Sequence, residues 1–134
     1  VYPGARHLIL TECRQYSDNV RWLGVSNFPT GAEIYEAEIL GTIIDKIVVF
    51  TWDAYDNTEA LVNSLPMEKT VVVALSSPYD WVRFPDIGAY MLTYSFLDPG
   101  IVTACDILFG GFSAQGRLSV VLDDDLPAGT YHGQ

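Results

Sequence analysis

The sequence predicts an α/β fold, a three-layer αβα sandwich built on a mostly parallel sheet of about six strands. Two runs, "KIVVFTW" (46–52) and "TVVVALS" (70–76), are almost continuously apolar and β-branched, as in strands buried on both faces of a parallel sheet. Segments with helical character separate the apolar runs, which is the pattern of βαβ units. With 134 residues, 49% of them hydrophobic, the chain can form the core of a single domain spanning 1–134.

Six apolar segments are predicted to be strands, and polar breaks such as "RQYSDN" separate them. They are 7–13, 20–26, 46–52, 70–76, 89–95 and 118–122. The tail, 123–134, is predicted to be extended. The general architecture expected from this order is flavodoxin-like. Right-handed crossovers would bring the carboxyl ends of the parallel strands to one edge of the sheet, where α/β folds bind their ligands.

Three helices are predicted between the strands, at 31–45, 58–66 and 98–111. In the second helix Leu61 and Leu65 share one face, and Pro66 ends it. In the third, Asp98 precedes a proline at the first turn, and Gly110 terminates the helix. The first is acidic outside and apolar inside, so its glutamates indicate a solvated face.

The charge of the chain argues against a polyanionic partner. Seven Lys and Arg stand against seventeen Asp and Glu, giving a formal net charge of −10 with no basic cluster. Nucleic acid and anionic membrane surfaces are therefore not expected as partners.

The longest apolar runs fall well short of the roughly 20 residues of a membrane helix. The chain opens with "VYPGARH", without an initiator Met or a signal-peptide core, and we expect a processed protein or a piece of a longer one. The sequence favours no compartment.

The two cysteines, Cys13 and Cys105, match no metal-binding or redox spacing. We predict that both are buried free thiols rather than a disulfide, since cysteine is commonly buried.

Dinucleotide fingerprints, P-loops and nucleophile elbows are absent from the sequence. Neither a metal nor a cofactor is therefore expected.

Carboxylates in the loops after the strands are the generic chemistry that the sequence offers. Asp53 follows the third predicted strand, Asp80 follows the fourth, and the first loop offers only Glu12. A phospho-accepting receiver site would also need an acidic pair after the first strand and a lysine after the fifth, which this chain lacks. Asp53 and Asp80 could approach each other at the carboxyl edge, as in glycosidases, whose two carboxyl groups lie about 5–10 Å apart.

The loop "SSPYDWVRFPD" (76–86) has the chemistry of a rigid corner. Pro78 fixes its own φ and favours an extended Ser77. Asp80 is suited to accept hydrogen bonds from nearby backbone N–H groups. The large rings of Tyr79 and Trp81 can wedge the loop against the sandwich or against a neighbouring domain. A corner is favoured over a catalytic loop, and Asp53, Tyr79, Asp80 and Trp81 remain the candidate substrate-binding residues.

From residue 46 onward a series of short motifs occurs in a specific order. They are Ser-Pro-Tyr-Asp (77–80), Phe-Pro-Asp leading to Ala-Tyr (84–90), Thr93-Tyr94, Leu108-Phe109-Gly110 and Gly116-Arg117-Leu118. In this order the chain closely resembles the C-terminal α/β-sandwich domain of glycoside hydrolase family 3, and within it the β-N-acetylglucosaminidase-type members. The resemblance covers about 75 residues.

The resemblance implies that the domain has a catalytic partner domain and contributes no catalytic residue itself. Family members carry an N-terminal (β/α)8 barrel that supplies the nucleophilic Asp and much of the sugar pocket. In the N-acetylglucosaminidase branch the barrel also supplies a His-Asp pair for acid/base catalysis, so the sandwich domain contributes no catalytic residue. A barrel needs about 250 residues and does not fit in this chain. The resemblance therefore predicts a catalytically incomplete domain that supports a barrel hydrolysing β-linked N-acetylglucosamine.

Two alternatives from other functional classes stay open at this point. One is a stand-alone module that binds a carbohydrate or a protein on its strand-end edge, with Trp52, Tyr55, Tyr79 and Trp81 stacking on sugar faces. The other is a small enzyme that uses its carboxylates alone, with Asp53, Asp80 and Glu12 as the first positions to test.

Overall fold

The computed structural model describes residues 3–131, with side chains described from residue 7 onward. Four helices and three strands follow one another along the chain. They are α1 (Pro3–Cys13), α2 (Gly31–Ile43), β1 (Ile47–Thr51), α3 (Asp56–Asn63), β2 (Thr70–Ala74), β3 (Ala89–Leu92) and α4 (Asp98–Leu108). Two 3₁₀ helices, Met67–Lys69 and Pro78–Arg83, precede β2 and β3. The chain is thus a small α/β fold.

The sheet of the described residues has three parallel strands in the order β1-β2-β3. Ile47 lies opposite Thr70 at the start of the first pair, and Val71 lies opposite Ala89 at the start of the second. The central strand β2 has the sequence Thr-Val-Val-Val-Ala, whose β-branched side chains suit a pleated surface covered on both sides. Val72 and Val73, which point to opposite faces, are both 0% exposed.

Three of the six predicted strands are confirmed and three are not. The predictions at 46–52, 70–76 and 89–95 correspond to β1, β2 and β3. The prediction at 7–13 is wrong, because these residues are helical in α1. No strand occurs at 20–26 or 118–122, so the described part of the chain does not confirm a sheet of six strands.

The error at 7–13 has a physical reason in the helix itself. Ile9 and Cys13 are four residues apart, so they lie on the same side of a helix, and both are buried. They pack in one cluster with Ile101 and Cys105 of α4. The three consecutive apolar residues 8–10 obscure this helical spacing in the sequence.

The three predicted helices are confirmed with shorter bounds. The helix predicted at 58–66 begins earlier, at Asp56, and ends at Asn63. The helix predicted at 98–111 ends at Leu108, and Gly110 follows it with φ of +77°, a conformation that favours glycine.

The sheet separates two apolar cores, which we call the first-face core and the second-face core. The first-face core joins α1 and α4 to the sheet and comprises Ile9, Cys13, Val73, Leu75, Ile101, Ala104 and Cys105. The second-face core joins α2 and α3 to the sheet and comprises Ala37, Ala54, Leu61, Val62, Leu65, Val72, Phe84 and Ile87. Helices therefore cover both faces of the sheet, in agreement with a three-layer arrangement. Within residues 3–131, no helix has the length and apolar character to cross a membrane.

A disulfide joins Cys13 at the end of α1 to Cys105 in α4, with the two Cα atoms 5.1 Å apart. The prediction of free thiols is therefore wrong, although the prediction of burial is confirmed, with Cys13 5% and Cys105 0% exposed. The bond spans 92 residues of sequence, and it forms because the packing of α1 on α4 brings the two residues together.

The tail after α4 folds back on itself as far as Tyr131. The backbone N–H of Leu118 donates to the carbonyl of Thr130, and the N–H of Gly129 donates to the carbonyl of Leu118. A turn at Asp123 closes the inner part, since Leu126 N–H donates to the Asp123 carbonyl. The prediction of an extended tail over 123–134 thus fails for its described part, and residues 132–134 lie outside the described residues.

A capping box starts α2. The Thr30 hydroxyl accepts from the backbone N–H of Glu33, and Glu33 Oε2 accepts from the backbone N–H of Thr30 at 2.7 Å. The other carboxylate oxygen accepts from the N–H of Ser26, also at 2.7 Å. These bonds, from the Thr30 backbone first and then from Ser26, lower the pKa of Glu33 from 4.5 to about 2.

The capping box predicts a pH dependence of stability in a defined window. Since the pKa of Glu33 is lower in the folded than in the unfolded protein, its contribution is complete above pH 4.5 and is lost as the pH falls toward 2. We expect NMR titration to place the pKa of Glu33 near 2, and E33Q to flatten the acid side of the stability profile between these values. T30S keeps both capping bonds and should keep the profile. A Glu33 carboxyl that titrates near 4.5 in the folded protein would contradict the capping geometry.

Candidate functional site

Three loops lie at the carboxyl edge of the sheet, because each follows the end of a parallel strand. We call them together the strand-end surface: 52–55 after β1, 75–81 after β2 and 93–97 after β3. This edge is where open parallel sheets generally place their sites. Three of the four candidate residues lie in the middle loop, and the fourth, Asp53, lies in the first.

Asp80 joins the first two loops from inside the protein. Its side chain is buried, with the residue 4% exposed. One carboxylate oxygen accepts from the hydroxyl of Thr51 at 2.7 Å, and the other accepts from the backbone N–H of Ala54 at 2.9 Å. Both partners are buried as well. A carboxylate satisfied in this way holds the end of β1 against the start of the next loop.

The corner at Pro78 is built as its sequence suggests. Ser77 is extended, with φ −82° and ψ 124°, and its hydroxyl accepts from the N–H of Tyr79 at 3.2 Å. From β3, the hydroxyl of Tyr90 lies 3.3 Å from the carbonyl of Pro78, to which it donates. Burial, and after it the charge of Asp80, raises the pKa of the Tyr90 phenol, so the phenol stays a neutral donor.

Two further contacts tie the 3₁₀ helix Pro78–Arg83 to its surroundings. The Arg83 guanidinium donates to Asp56 at 2.9 Å and to Glu59 at 3.0 Å, both on α3. The indole N–H of Trp81 donates to Asp123 of the tail at 3.1 Å. The corner is therefore held from β1, β3, α3 and the tail, which is the arrangement of a structural junction.

Aromatic side chains cover part of the strand-end surface. Trp52 and Phe96, from the first and third loops, stack with ring centroids 4.1 Å apart. Because β2 lies between β1 and β3, this pair crosses the end of the central strand. Tyr79 in the second loop is 55% exposed, and Leu97 in the third loop is 60% exposed. The surface thus presents apolar and aromatic groups to its surroundings.

Tyr94 in the third loop has a positive φ of 53°, the one non-glycine residue among those described to adopt this region. Such a conformation costs of order 1–3 kcal/mol and persists where neighbours determine it. Here the Tyr94 hydroxyl accepts from the backbone N–H of Ser119 at 3.1 Å and so attaches the tail to the loop.

The candidate carboxylates lie in different environments in the structure. Asp53 is exposed in the first loop, next to Ala54, whose N–H binds the buried Asp80. Glu12 is on α1, which packs on the first face against α4, and it accepts from the side chain of Gln15 at 2.9 Å. The predicted position of Glu12 after a strand is therefore wrong. The Asp53–Asp80 pair has one member enclosed by the protein, so it cannot flank a glycosidic bond in this conformation.

Several residues of this surface were not singled out from the sequence. Thr51 carries the one hydroxyl in the otherwise apolar strand β1 and stands at its end. A polar side chain in that position could have been identified from the sequence as a partner for a buried carboxylate. The contacts of Tyr90 and Phe96 depend on β3 lying beside β2, which no local pattern reveals. Among the described side chains, no group of three or more His, Cys, Asp or Glu residues is placed to hold a metal ion.

Comparison with known proteins gives one structural likeness. No protein-family model matches the chain, and no curated protein sequence does. The fold is similar to that of a glycoside hydrolase family 3 β-N-acetylglucosaminidase from Paenibacillus sp. str. FPU-7, with a TM-score of 0.77 and 18% sequence identity. The match covers 85% of this chain and 23% of that enzyme. At this identity the likeness concerns the fold, and the chain spans less than a quarter of the enzyme's length.

Proposed function

We propose that this chain is the C-terminal α/β-sandwich domain of a family 3 glycoside hydrolase of the β-N-acetylglucosaminidase type. Its role is to support a catalytic (β/α)8 barrel that hydrolyses β-linked N-acetylglucosamine by a retaining mechanism. The domain supplies no catalytic residue. The finer architecture proposed with this role is a flavodoxin-like sandwich with about six strands.

The observation that carries the proposal is the fold similarity to a β-N-acetylglucosaminidase over 85% of the chain but 23% of that enzyme. A match of this kind is what one domain of a larger enzyme would give. The ordered motifs from residue 46 onward support the same family independently, because they rest on sequence rather than on the arrangement of helices and strands.

The strand-end surface suits a supporting role better than a catalytic one. Asp80 is fully engaged by Thr51 and Ala54, and the corner around it is held by several elements. Exposed apolar groups such as Leu97 and Tyr79 are suited to packing against a neighbouring domain. We therefore assign this surface to the barrel partner rather than to chemistry of its own.

Hydrolysis assays test the proposal directly. The purified 134-residue chain should release no product from a chromogenic β-N-acetylglucosaminide or β-glucoside above the rate in buffer. The complete protein from which it derives should hydrolyse the β-N-acetylglucosaminide in preference to the β-glucoside. Turnover by the chain alone would overturn the proposal, and D53N and D80N would then be the variants to compare. Preference of the complete protein for the β-glucoside would contradict its assignment to the β-N-acetylglucosaminidase type.

A second candidate function rests on the aromatic groups of the same surface. The Trp52–Phe96 stack and the exposed Tyr79 offer ring faces of the kind that bind sugars. A stand-alone carbohydrate-binding module would bind N-acetylglucosamine oligosaccharides without a barrel. Calorimetric titration of the chain with chitotriose, with W52A as the control, separates the two functions. Saturable heat that W52A abolishes would favour the binding module, and no heat would favour the supporting domain.

A further inference from the structure

We propose that Tyr16 is a gate over the Cys13–Cys105 disulfide, and that a thiol reductant reaches the bond when this gate opens and attacks the sulfur of Cys13. The disulfide is thereby a redox-sensitive device whose rate of reduction is set by one aromatic side chain. The inference rests on the packing of α1 against α4 and does not depend on the proposed hydrolase function.

The inner side of the disulfide is closed by the first-face core. Cys13 is 5% exposed and Cys105 is 0% exposed. Both pack in one cluster with Val73 of β2 and Ile101 of α4, which are 0% exposed as well. A polar reductant does not pass through a close-packed apolar core. It must therefore approach from the solvent side, where α1 and α4 meet.

Tyr16 spans the two helices at this point. Helix α1 ends at Cys13, and in the turn that follows the N–H of Tyr16 donates to the Cys13 carbonyl at 3.2 Å. The ring of Tyr16 stacks on Phe109, with centroids 5.3 Å apart and planes 9° apart. Its hydroxyl donates to the carboxylate of Asp106. One side chain thus reaches from the turn after Cys13 to the residues that flank Cys105.

The contacts of Tyr16 on α4 lie on the solvent side of Cys105. Ile101, four residues before Cys105 and part of the core, is rotated from it by about 40° around the helix axis. Phe109, whose N–H donates to the Cys105 carbonyl, is rotated by about 40° in the opposite direction, and Asp106 by about 100° in that direction. Tyr16 and Phe109 are 43% and 42% exposed. The stacked rings therefore lie between the disulfide and solvent.

The position of the two sulfurs decides which one is attacked. Cys13 stands at the open end of α1, whereas Cys105 lies inside α4 and is fully buried. A reductant thiolate bonds to Sγ of Cys13 while the Sγ–Sγ bond breaks, and Cys105 leaves as a thiolate that takes up a proton. A second reductant thiolate attacks the reductant sulfur of this mixed disulfide and releases Cys13, which is protonated in turn. The protein gains two electrons and two protons, and two reductant thiols become one disulfide.

The rate of reduction by dithiothreitol without denaturant tests the gate. Alkylation at successive times and mass spectrometry give the fraction of reduced protein. Y16A should be reduced faster than the wild-type protein by about tenfold or more, because opening no longer disrupts a ring stack and a charge-assisted hydrogen bond. Y16F keeps the stack on Phe109 and loses the hydrogen bond to Asp106, so its rate should lie between the two.

Two control variants separate opening of the gate from unfolding of the whole protein. Y35A removes an exposed tyrosine from α2, on the other face of the sheet, and should leave the rate unchanged. D80A removes two buried hydrogen bonds far from the disulfide in the fold and so lowers the stability of the whole protein. Its rate should stay within about twofold of the wild-type rate, since a local opening does not require global unfolding.

Glutathione tests the site of attack, because as a monothiol it leaves a mixed disulfide on the sulfur that it attacks. Wild-type protein is treated with reduced glutathione, quenched with acid and digested with pepsin, and the adducts are located by mass spectrometry. The glutathione should be found on Cys13.

Four outcomes would overturn the proposal. The first is reduction of Y16A at the wild-type rate. The second is a D80A variant that is reduced as fast as Y16A, since reduction would then pass through global unfolding. The third is glutathione on Cys105 rather than on Cys13. The fourth is reduction of Y16F at the wild-type rate, a result that decides the question even if Y16A does not fold.

Discussion

Reduction of the Cys13–Cys105 disulfide is expected to lower the free energy of unfolding by about 4–5 kcal/mol. The bond closes a loop of 92 residues of sequence separation, and loops near 100 residues give about this value when chain entropy in the unfolded state dominates. Such a loss approaches the whole stability of many small domains, which is about 5–15 kcal/mol. Urea unfolding with and without reductant, followed by tryptophan fluorescence, measures the difference.

A double variant distinguishes the contribution of the covalent bond to stability from that of the packing of the two cysteine side chains. C13A/C105A should unfold at a urea midpoint close to that of the reduced wild-type protein, and added reductant should not change it further. Mass spectrometry after alkylation verifies the redox state of each sample. An oxidised and a fully reduced wild-type protein with equal midpoints would contradict the expected contribution.

Replacement of Asp80 by alanine is expected to cost about 2–4 kcal/mol of stability. The substitution leaves the hydroxyl of Thr51 and the N–H of Ala54 buried without their acceptor, and each hydrogen bond to a charged group contributes about 1.5–3 kcal/mol. D80N keeps the shape and one carbonyl acceptor, so its loss should be smaller. Chemical denaturation of both variants checks the order.

The control for this prediction is the other candidate carboxylate. Asp53 is exposed, and D53A should change stability by less than about 0.5 kcal/mol. A structural role for Asp80 requires the contrast between the two positions. If D80A were as stable as the wild-type protein while the complete enzyme carrying it lost activity, Asp80 would act in the site rather than in the corner.

The strands of the described sheet were predictable because each carries its own signal. The residues of β1 and β2 form uncharged, β-branched runs, and buried parallel strands need such runs whatever their neighbours are. Residues close to the ends of α3 and α4 indicate where these helices begin and end, such as Pro99 in the first turn of α4. These features depend on few residues close together in the chain.

The elements that were missed depend on distant contacts. The helix α1 owes its form to packing on α4, some 90 residues further along, and its short apolar run fits a strand equally well. The segment 118–122 has the composition of a strand but lies apart from the three-stranded sheet, with Val121 57% exposed. The disulfide was missed for the same reason, because nothing near Cys13 in the sequence indicates Cys105.

The site was predictable in part. The turn chemistry of Ser77 and Pro78 is local, so the extended conformation before the corner followed from the sequence. Asp80 is a hydrogen-bond acceptor as predicted, but its partners are Thr51 and Ala54, which lie 29 and 26 residues away in sequence, and not the nearby N–H groups that were expected. The position of Glu12 was wrong because the strand assigned to it is a helix.

The burial of β2 on both faces has a consequence for the protein before it folds. In the unfolded chain the run Thr70–Ala74 is uncharged, free of proline and rich in valine, which is the composition of segments that aggregate through cross-β pairing. Pro66 and Pro78 bracket the run, and prolines near such segments limit strand growth. The net charge of −10 adds a long-range repulsion between chains. The excess of acidic residues, on which the expectation of no polyanionic partner rests, should thus also keep newly made chains apart.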